Sequence, residues 1–147
     1  MLKVRNARPS DCDIFFNWRN DPLVVASSFT SDLIKIDDHR RWYDHKLNSG
    51  NCRMYVAEVG LKPAGQVRFD IEGLNATIND SLASEFRGRR LAKPLLEQAI
   101  DEFSQEQSSV TALVALVKPD NVASCRVFEK LEFEFDGFDN RIQANRY

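Results

Sequence analysis

Ser84-Glu85-Phe86-Arg87-Gly88-Arg89-Arg90-Leu91-Ala92 lies between a strand-like run, Ala76-Leu82, and a segment in which Leu95, Leu96, Ala99, Ile100 and Phe103 recur at helical spacing. Pro94 falls in the first turn of that helix, where a missing N–H does no harm. A loop in this position exposes unpaired backbone N–H groups and the positive end of a helix dipole, which together make an anion site with phosphate as its natural ligand. Arg87, Arg89 and Arg90 add charge-assisted donors worth roughly 1.5–3 kcal/mol each when well placed, more than the dipole's roughly 0.3–1 kcal/mol. Taken alone, the same residues also describe a solvated basic turn, because a single glycine does not separate the two.

Downstream of the loop, Ala112-Val117 is apolar and rich in β-branched residues, as expected for a central strand buried on both faces. A helix from about Asn121 to Leu131 follows, then an aromatic strand at Phe133-Phe138 and a last short segment ending at Tyr147. Upstream, Met54-Val59, Gln66-Ile71 and Ala76-Leu82 read as an antiparallel meander of three strands with short turns. The chain opens with a strand at residues 2–7. A helix carrying Ile14, Phe15 and Trp18 ends at Asn20-Asp21-Pro22, because the residue before proline avoids the helical region. After a poorly patterned stretch, Asp37 and Asp38 open a helix bearing Trp42, Tyr43 and Leu47. The expected order is β-α-α-β-β-β-α-β-α-β-β, an α/β (α+β) fold with a mixed sheet flanked by helices.

A length of 147 residues and 43% apolar content suit one domain, 1–147, with a single core. Twenty Lys+Arg against 22 Asp+Glu give a net charge of -2 and a pI of 5.7, so no global field draws the chain to nucleic acid or to an anionic membrane. Cys12, Cys52 and Cys125 are odd in number and widely spaced, which fits a reducing compartment better than a disulfide framework. No stretch approaches the roughly 18 apolar residues that span a bilayer, so a cytoplasmic protein is expected. His39 and His45 have no metal-ligand spacing, and no metal is expected.

The loop and the segment about thirty residues beyond it, Asn121-Val122-Ala123-Ser124-Cys125-Arg126-Val127-Phe128-Glu129-Lys130-Leu131-Glu132-Phe133, together resemble the GNAT superfamily of acyl-CoA-dependent N-acetyltransferases. The family's R-x-x-G-x-G/A loop falls on Arg87 to Ala92, and its N-x-x-S/A-x-x-x-Y/F-x-K-x-G-F segment falls on Asn121 to Phe133. The resemblance implies a mostly antiparallel mixed sheet and acetyl-CoA as co-substrate. Arg87, Gly88, Arg89, Arg90, Leu91 and Ala92 would hold the diphosphate, and the pantetheine would lie between strands 76–82 and 112–117. It further implies that a backbone N–H near Leu82 faces the thioester oxygen, with Asn121, Ser124 and Phe128 along the cofactor. Asn17-Trp18-Arg19-Asn20-Asp21-Pro22, His39-x-x-Trp42 and Gly65-Gln66-Val67-Arg68-Phe69-Asp70 look like the branch that acetylates amino groups of nucleotide-activated sugars, as in pseudaminic acid biosynthesis. A similar opening is found in GNAT enzymes acting on protein N-termini, the alternative acceptor class. Either way the expected partner is a small-molecule or peptide amine, with a homodimer one option for the assembly.

The reaction needs a neutral amine aligned on the thioester, an oxyanion donor, and a base reached directly or through water. His39, Asp70, Asp80 and Glu58 are the candidate bases, and Arg19, Trp42, Gln66 and Arg68 the candidate acceptor contacts. Trp18 and Trp42 fit core anchors better than sugar platforms, since large aromatics dominate burial. Three departures from the family pattern stand out. Arg90 and Glu132 replace usual glycines. If the position of Arg90 needs positive φ, a non-glycine residue there costs about 1–2 kcal/mol, which one charge-assisted bond to a phosphate offsets. For Glu132 the sequence offers no physical reason. Phe128 stands where many members carry a tyrosine that protonates the departing thiolate. Releasing free thiolate at pH 7 costs only about 2 kcal/mol, so catalysis is not tied to that acid. A non-catalytic acyl-CoA sensor and a nucleic-acid module built on Arg87, Arg89 and Arg90 are the competing classes.

Overall fold

The computed structural model describes residues 1–29, 33–142 and 144–147. Its strands are β1 (Leu2–Asn6), β2 (Cys52–Val59), β3 (Lys62–Glu72), β4 (Asn75–Leu82), β5 (Ala112–Val117), β6 (Phe138–Asp139) and β7 (Ala144–Arg146). They form one sheet in the order β1-β2-β3-β4-β5-β7-β6, in which β4 and β5 are the parallel pair and the other neighbours run antiparallel. Among the described residues five α-helices flank it: α1 (Cys12–Arg19), α2 (Pro22–Ser27), α3 (Ile36–Leu47), α4 (Ala92–Glu106) and α5 (Val122–Lys130). None of these helices is long and apolar enough to cross a membrane.

The alternation of side chains along the central strands gives the sheet two covered faces. On one, Tyr55, Ala57, Val67 and Phe69 pack against Leu95, Leu96, Ala99 and Phe103 of α4, with Phe69 and Phe103 stacked at 4.1 Å. On the other, Met54 and Val56 pack against Phe15 of α1 and Tyr43 of α3. β2 therefore reads as a nearly continuous apolar run, because both its faces are dry.

The parallel register of β4 and β5 runs from Asn75↔Ala112 to Ile78↔Ala115 and stops there. β4 continues to Leu82, whereas Leu116 and Val117 of β5 pair with Arg146 and Asn145 of β7. The two strands diverge beyond that point, leaving a split inside the sheet.

Two expectations are corrected. Asp21-Pro22 does end α1, but it also starts α2. The Asp21 carboxylate accepts from the N–H groups of Leu23 and Val24, and Pro22 takes the first helical position. The aromatic segment at Phe133-Phe138 is not a strand. Regular pairing is confined to Phe138–Asp139, because the segment first has to leave the end of α5.

The way it leaves explains Glu132. The Glu132 N–H donates to Glu129 O, the Phe133 N–H to Phe128 O (both at 3.0 Å), and Glu132 takes φ +68°. This is a Schellman ending, completed by the edge-on contact of the Phe128 and Phe133 rings at 5.2 Å. A left-handed conformation favours glycine, so Glu132→Gly is expected to raise stability by about 1 kcal/mol in thermal denaturation.

Candidate active site

The split opens into a cavity of about 470 Å³ that passes through the sheet. Ile78, Asp80 and Leu82 of β4 reach it from the α4 side, and Asn79 and Ser81 from the side of α1 and α3. Across the gap stand Leu116, Val117 and Lys118, with Asn121, Ser124 and Phe128 of α5 beyond them.

Backbone geometry at the end of β4 follows from its pairing with β3. Ala83 N–H donates to Ala64 O at 2.7 Å, so the next pair, Gly65↔Leu82, is a non-hydrogen-bonded one. The N–H and carbonyl of Leu82 therefore point away from β3, towards the split. Strands approach closely at such a pair, and a Cβ on Gly65 would lie 2.6 Å from Ser81 O.

The chain then turns through Ser84–Phe86 into the arginine-bearing loop. Gly88 takes φ +75° and Arg90 φ +58°, so the departure from glycine at residue 90 does carry a left-handed backbone. α4 begins at Ala92 without a side-chain cap and without an acid in its first turn, and Pro94 has no N–H to offer. The N–H groups of Ala92 and Lys93 have no partner within the helix, and its positive dipole end is bare.

The three arginines are not equivalent. Arg87 borders the cavity and pairs with Asp21 at 3.0 Å, and Arg89 lies over the Phe86 ring at 5.3 Å. Arg90 is exposed and has no ionic partner among the described residues. Lys118 Nζ donates to Ala26 O at 3.0 Å, so α2 is tied to the chain beyond both diverging strands. Leu23 and Val24 of α2 form an apolar wall of the cavity. No sequence pattern marks this wall, because Asp21-Pro22 reads as a helix stop and α2 is too short to show a period.

On the α1–α3 side, Arg19, Trp42, Gln66 and Arg68 all border the cavity. The guanidinium carbons of Arg19 and Arg68 lie 4.1 and 5.1 Å from the Trp42 ring centroid. Arg68 is neutralised by Asp70 at 3.0 Å, whereas Arg19 has no carboxylate partner among the described residues. Burial, together with the charge of Arg68, lowers the pKa of Arg19.

The candidate bases separate sharply. Asp80 borders the cavity, and its carboxyl has no partner among the described residues; burial pushes its pKa up to about 6. Asp70 faces the salt-bridge cluster instead. Burial works against its ionisation, but Arg68 at 3.0 Å and Lys46 at 3.2 Å hold its carboxyl below the usual range. Glu58 lies at the β1–β2 edge beside Arg5.

His39 is fully buried and does not border the cavity. Its Nε2 faces the Cys12 carbonyl at 2.8 Å, an atom that can only accept, so Nε2 carries the proton and Nδ1 receives a hydrogen bond from Arg19 at 3.3 Å. Burial lowers its pKa, as does the Arg19 charge, against the pull of the Cys12 carbonyl. A neutral imidazole with both nitrogens engaged and no face on the cavity holds Arg19 in place and is not positioned to take a proton from a bound amine.

At the far end of the cavity, Asn121 caps α5 with its Oδ1, accepting from Ser124 N–H at 3.3 Å, which leaves its Nδ2 free to donate. Phe128 is buried against Phe133 and Tyr147, and no tyrosine borders the cavity among the described residues. No group of His, Cys, Asp and Glu among the described residues is arranged to hold a metal ion.

Comparison with known proteins agrees with this architecture. The sequence matches the acetyltransferase (GNAT) domain family over residues 1–134. No curated protein matches it significantly. Among solved structures, the spermidine N-acetyltransferase from Vibrio cholerae in complex with CoA and spermine is similar, with a TM-score of 0.86 and 20% identity over 99% of this chain and 92% of that one. The ribosomal-protein alpha-N-acetyltransferase RimL in complex with CoA has a TM-score of 0.86 and 19% identity, with 99% and 92% covered. An aminoglycoside acetyltransferase in complex with coenzyme A has a TM-score of 0.82 and 18% identity, with 99% and 91% covered. A family match spanning nearly the whole chain, joined to a sheet split beside an uncapped helix, leads to one conclusion: this chain belongs to the GNAT family and is an acetyl-CoA-dependent acetyltransferase.

Proposed function

We propose that the enzyme transfers acetyl from acetyl-CoA to the primary amine of a sugar on a nucleotide carrier, by direct attack and without a covalent enzyme intermediate. The parting of β4 from β5 at Ile78 and Ala115 carries the reading, because it makes a slot for a narrow chain where an intact sheet would have none. The free N–H groups at the start of α4, with Gly88, Arg89, Arg90, Leu91 and Ala92 around them, suit a diphosphate. Arg87 adds a guanidinium shared with Asp21. Asn121 Nδ2 donates to the pantetheine arm, and Ser124 and Phe128 line its path.

At the reacting end, Leu82 N–H points into the split and receives the oxyanion charge that develops on the thioester carbonyl. Asp80 accepts the proton of the attacking amine; with a pKa of about 6, its carboxylate is largely ionised at neutral pH yet basic enough to serve. With Phe128 in the tyrosine position, the thiolate takes its proton from water.

The acceptor class rests on the cationic wall. Arg19, which lies over Trp42 and has no carboxylate partner among the described residues, and Lys118 across the cavity favour an anionic carrier and disfavour a polycation such as spermidine. The assay is thiol release from acetyl-CoA with four acceptors: a nucleotide-linked amino sugar, a free amino sugar, spermidine and a peptide N-terminus. The nucleotide-linked amine is expected to give the highest kcat/KM, and a preference for spermidine or the peptide would refute the acceptor assignment. Thermal stabilisation by acetyl-CoA with no thiol release from any acceptor would instead indicate a sensor. Arg19→Ala is expected to raise the KM of the nucleotide-linked acceptor roughly tenfold while leaving the Kd of acetyl-CoA unchanged.

A further inference from the structure

The corner between α1 and α2 reaches three other parts of the chain through three consecutive side chains. Arg19 lies over Trp42 of α3, and the Asn20 carboxamide exchanges hydrogen bonds with the Ile34 backbone at 2.9 and 3.1 Å. Asp21 Oδ1 accepts from the N–H groups of Leu23 at 3.0 Å and Val24 at 3.4 Å, and from Arg87 Nη2 at 3.0 Å, 66 positions along the chain. One carboxylate therefore caps the acceptor-side helix and holds the first residue of the loop assigned to the diphosphate. Lys118 ties the other end of α2 through Ala26 O, so the helix is strapped between the segments that follow β4 and β5. These ties matter, because α2 has six residues, none of them buried, and a helix so short does not stand by propensity. Leu23 borders the cavity and is still 55% exposed.

The Arg87 side chain is 26% exposed and borders the cavity, so a ligand there can reach it. Only its Nη2 goes to Asp21, and the guanidinium fork keeps further N–H groups for a phosphate. A partly exposed ion pair gains little by itself, because it has to immobilise a long side chain. A diphosphate on the other N–H groups does that immobilising, and the bond to Asp21 then forms without a further entropic loss. Repulsion between the two anions is blunted. Burial works against ionisation of Asp21, but Arg87 and the N–H groups of Leu23 and Val24 hold its carboxyl below the usual range, so its charge is compensated within the corner.

We propose that Asp21 is a positioning residue that couples the two substrates: with the diphosphate of acetyl-CoA on Arg87, Asp21 holds α2 and the Arg19 corner in place, and the acceptor binds more tightly. The inference rests on the proposed reading of the loop as the cofactor site and of the Arg19 side as the acceptor site.

The test measures the Kd of one acceptor for the protein alone and for the protein saturated with CoA, which fills the cofactor site without turnover. The acceptor is whichever of the four assayed amines gives the highest kcat/KM. For the wild type, CoA is expected to tighten acceptor binding roughly tenfold, and the acceptor to tighten CoA binding by the same factor. Asp21→Ser keeps a favoured helix cap but is uncharged and too short for Arg87, and should bring that factor to within about twofold of one. Should serine unfold the corner, Asp21→Asn caps α2 without the charge and is expected to lower the factor by at least about threefold. A wild-type factor of one or below would overturn the proposal, as would a factor that survives in the variants. So would variants that bind the acceptor less well by the same proportion with and without CoA, since Asp21 would then only support α2. A wild type that acetylates none of the four amines defeats the reading of the site itself, whereas turnover with no coupling defeats only the role of Asp21.

Discussion

Asp80→Asn is expected to lower kcat by roughly 10²–10⁴-fold, the usual contribution of a positioned base, while acetyl-CoA still binds. In the wild type, kcat/KM should show an ascending limb through about 6, below the further limb set by the acceptor amine's own ionisation, because the protonated carboxyl cannot accept the amine's proton. The asparagine variant should lose that limb. Stability should move the other way. The folded-state pKa of Asp80 stands above its ordinary value of 3.8, so its protonated form is the one that folding favours. Its contribution is most favourable below pH 3.8 and declines as pH rises through 3.8 towards 6. At pH 7 the ionised carboxylate costs the fold about 1–3 kcal/mol, which the neutral amide removes. A variant more stable at neutral pH and nearly inactive identifies a carboxylate kept for chemistry. One that is less stable, or that retains its rate, would refute the role.

Gly65→Ala is expected to be the most damaging of the glycine-to-alanine changes. The added Cβ would sit 2.6 Å from Ser81 O, a backbone atom that no side-chain rotation can move aside. The strain has to be relieved by pushing residues 81 and 82 away from β3, into the slot where Leu82 N–H points. A loss of roughly 3 kcal/mol is expected, or about 6–12 °C in Tm for a chain of this size. The kcat should fall as well, by more than the folded fraction explains. A protein with wild-type Tm and rate would show that β4 yields without cost. Gly60 and Gly73 make a useful contrast: nothing lies within 4 Å of a Cβ there, and alanine at either meets only the strain of positive φ.

Segments with a strong period or composition are legible in the amino-acid sequence. The α4 face of Leu95, Leu96, Ala99 and Phe103, the apolar run of β5 and the strands of the meander lie where their patterns point. Asp21-Pro22 shows where pattern falls short. The same dipeptide stops one helix and caps the next, and six residues of α2 are too few to display a period. At Phe133-Phe138, aromatic content imitates a paired strand, whereas Phe133 is spent closing the end of α5.

The site divides along the same line. The arginine-bearing turn ahead of a long helix, the later helix from about Asn121 and the residue types around them can be read from the order of residues, because they are local properties of neighbouring positions. Three other features exist only in the folded chain: His39 is a buried support for Arg19, Asp70 is neutralised while Asp80 is not, and the Asp21 carboxylate is shared between α2 and Arg87. Charge state and hydrogen-bond satisfaction depend on what lies across the sheet, and that is set by register and packing between segments far apart in the chain.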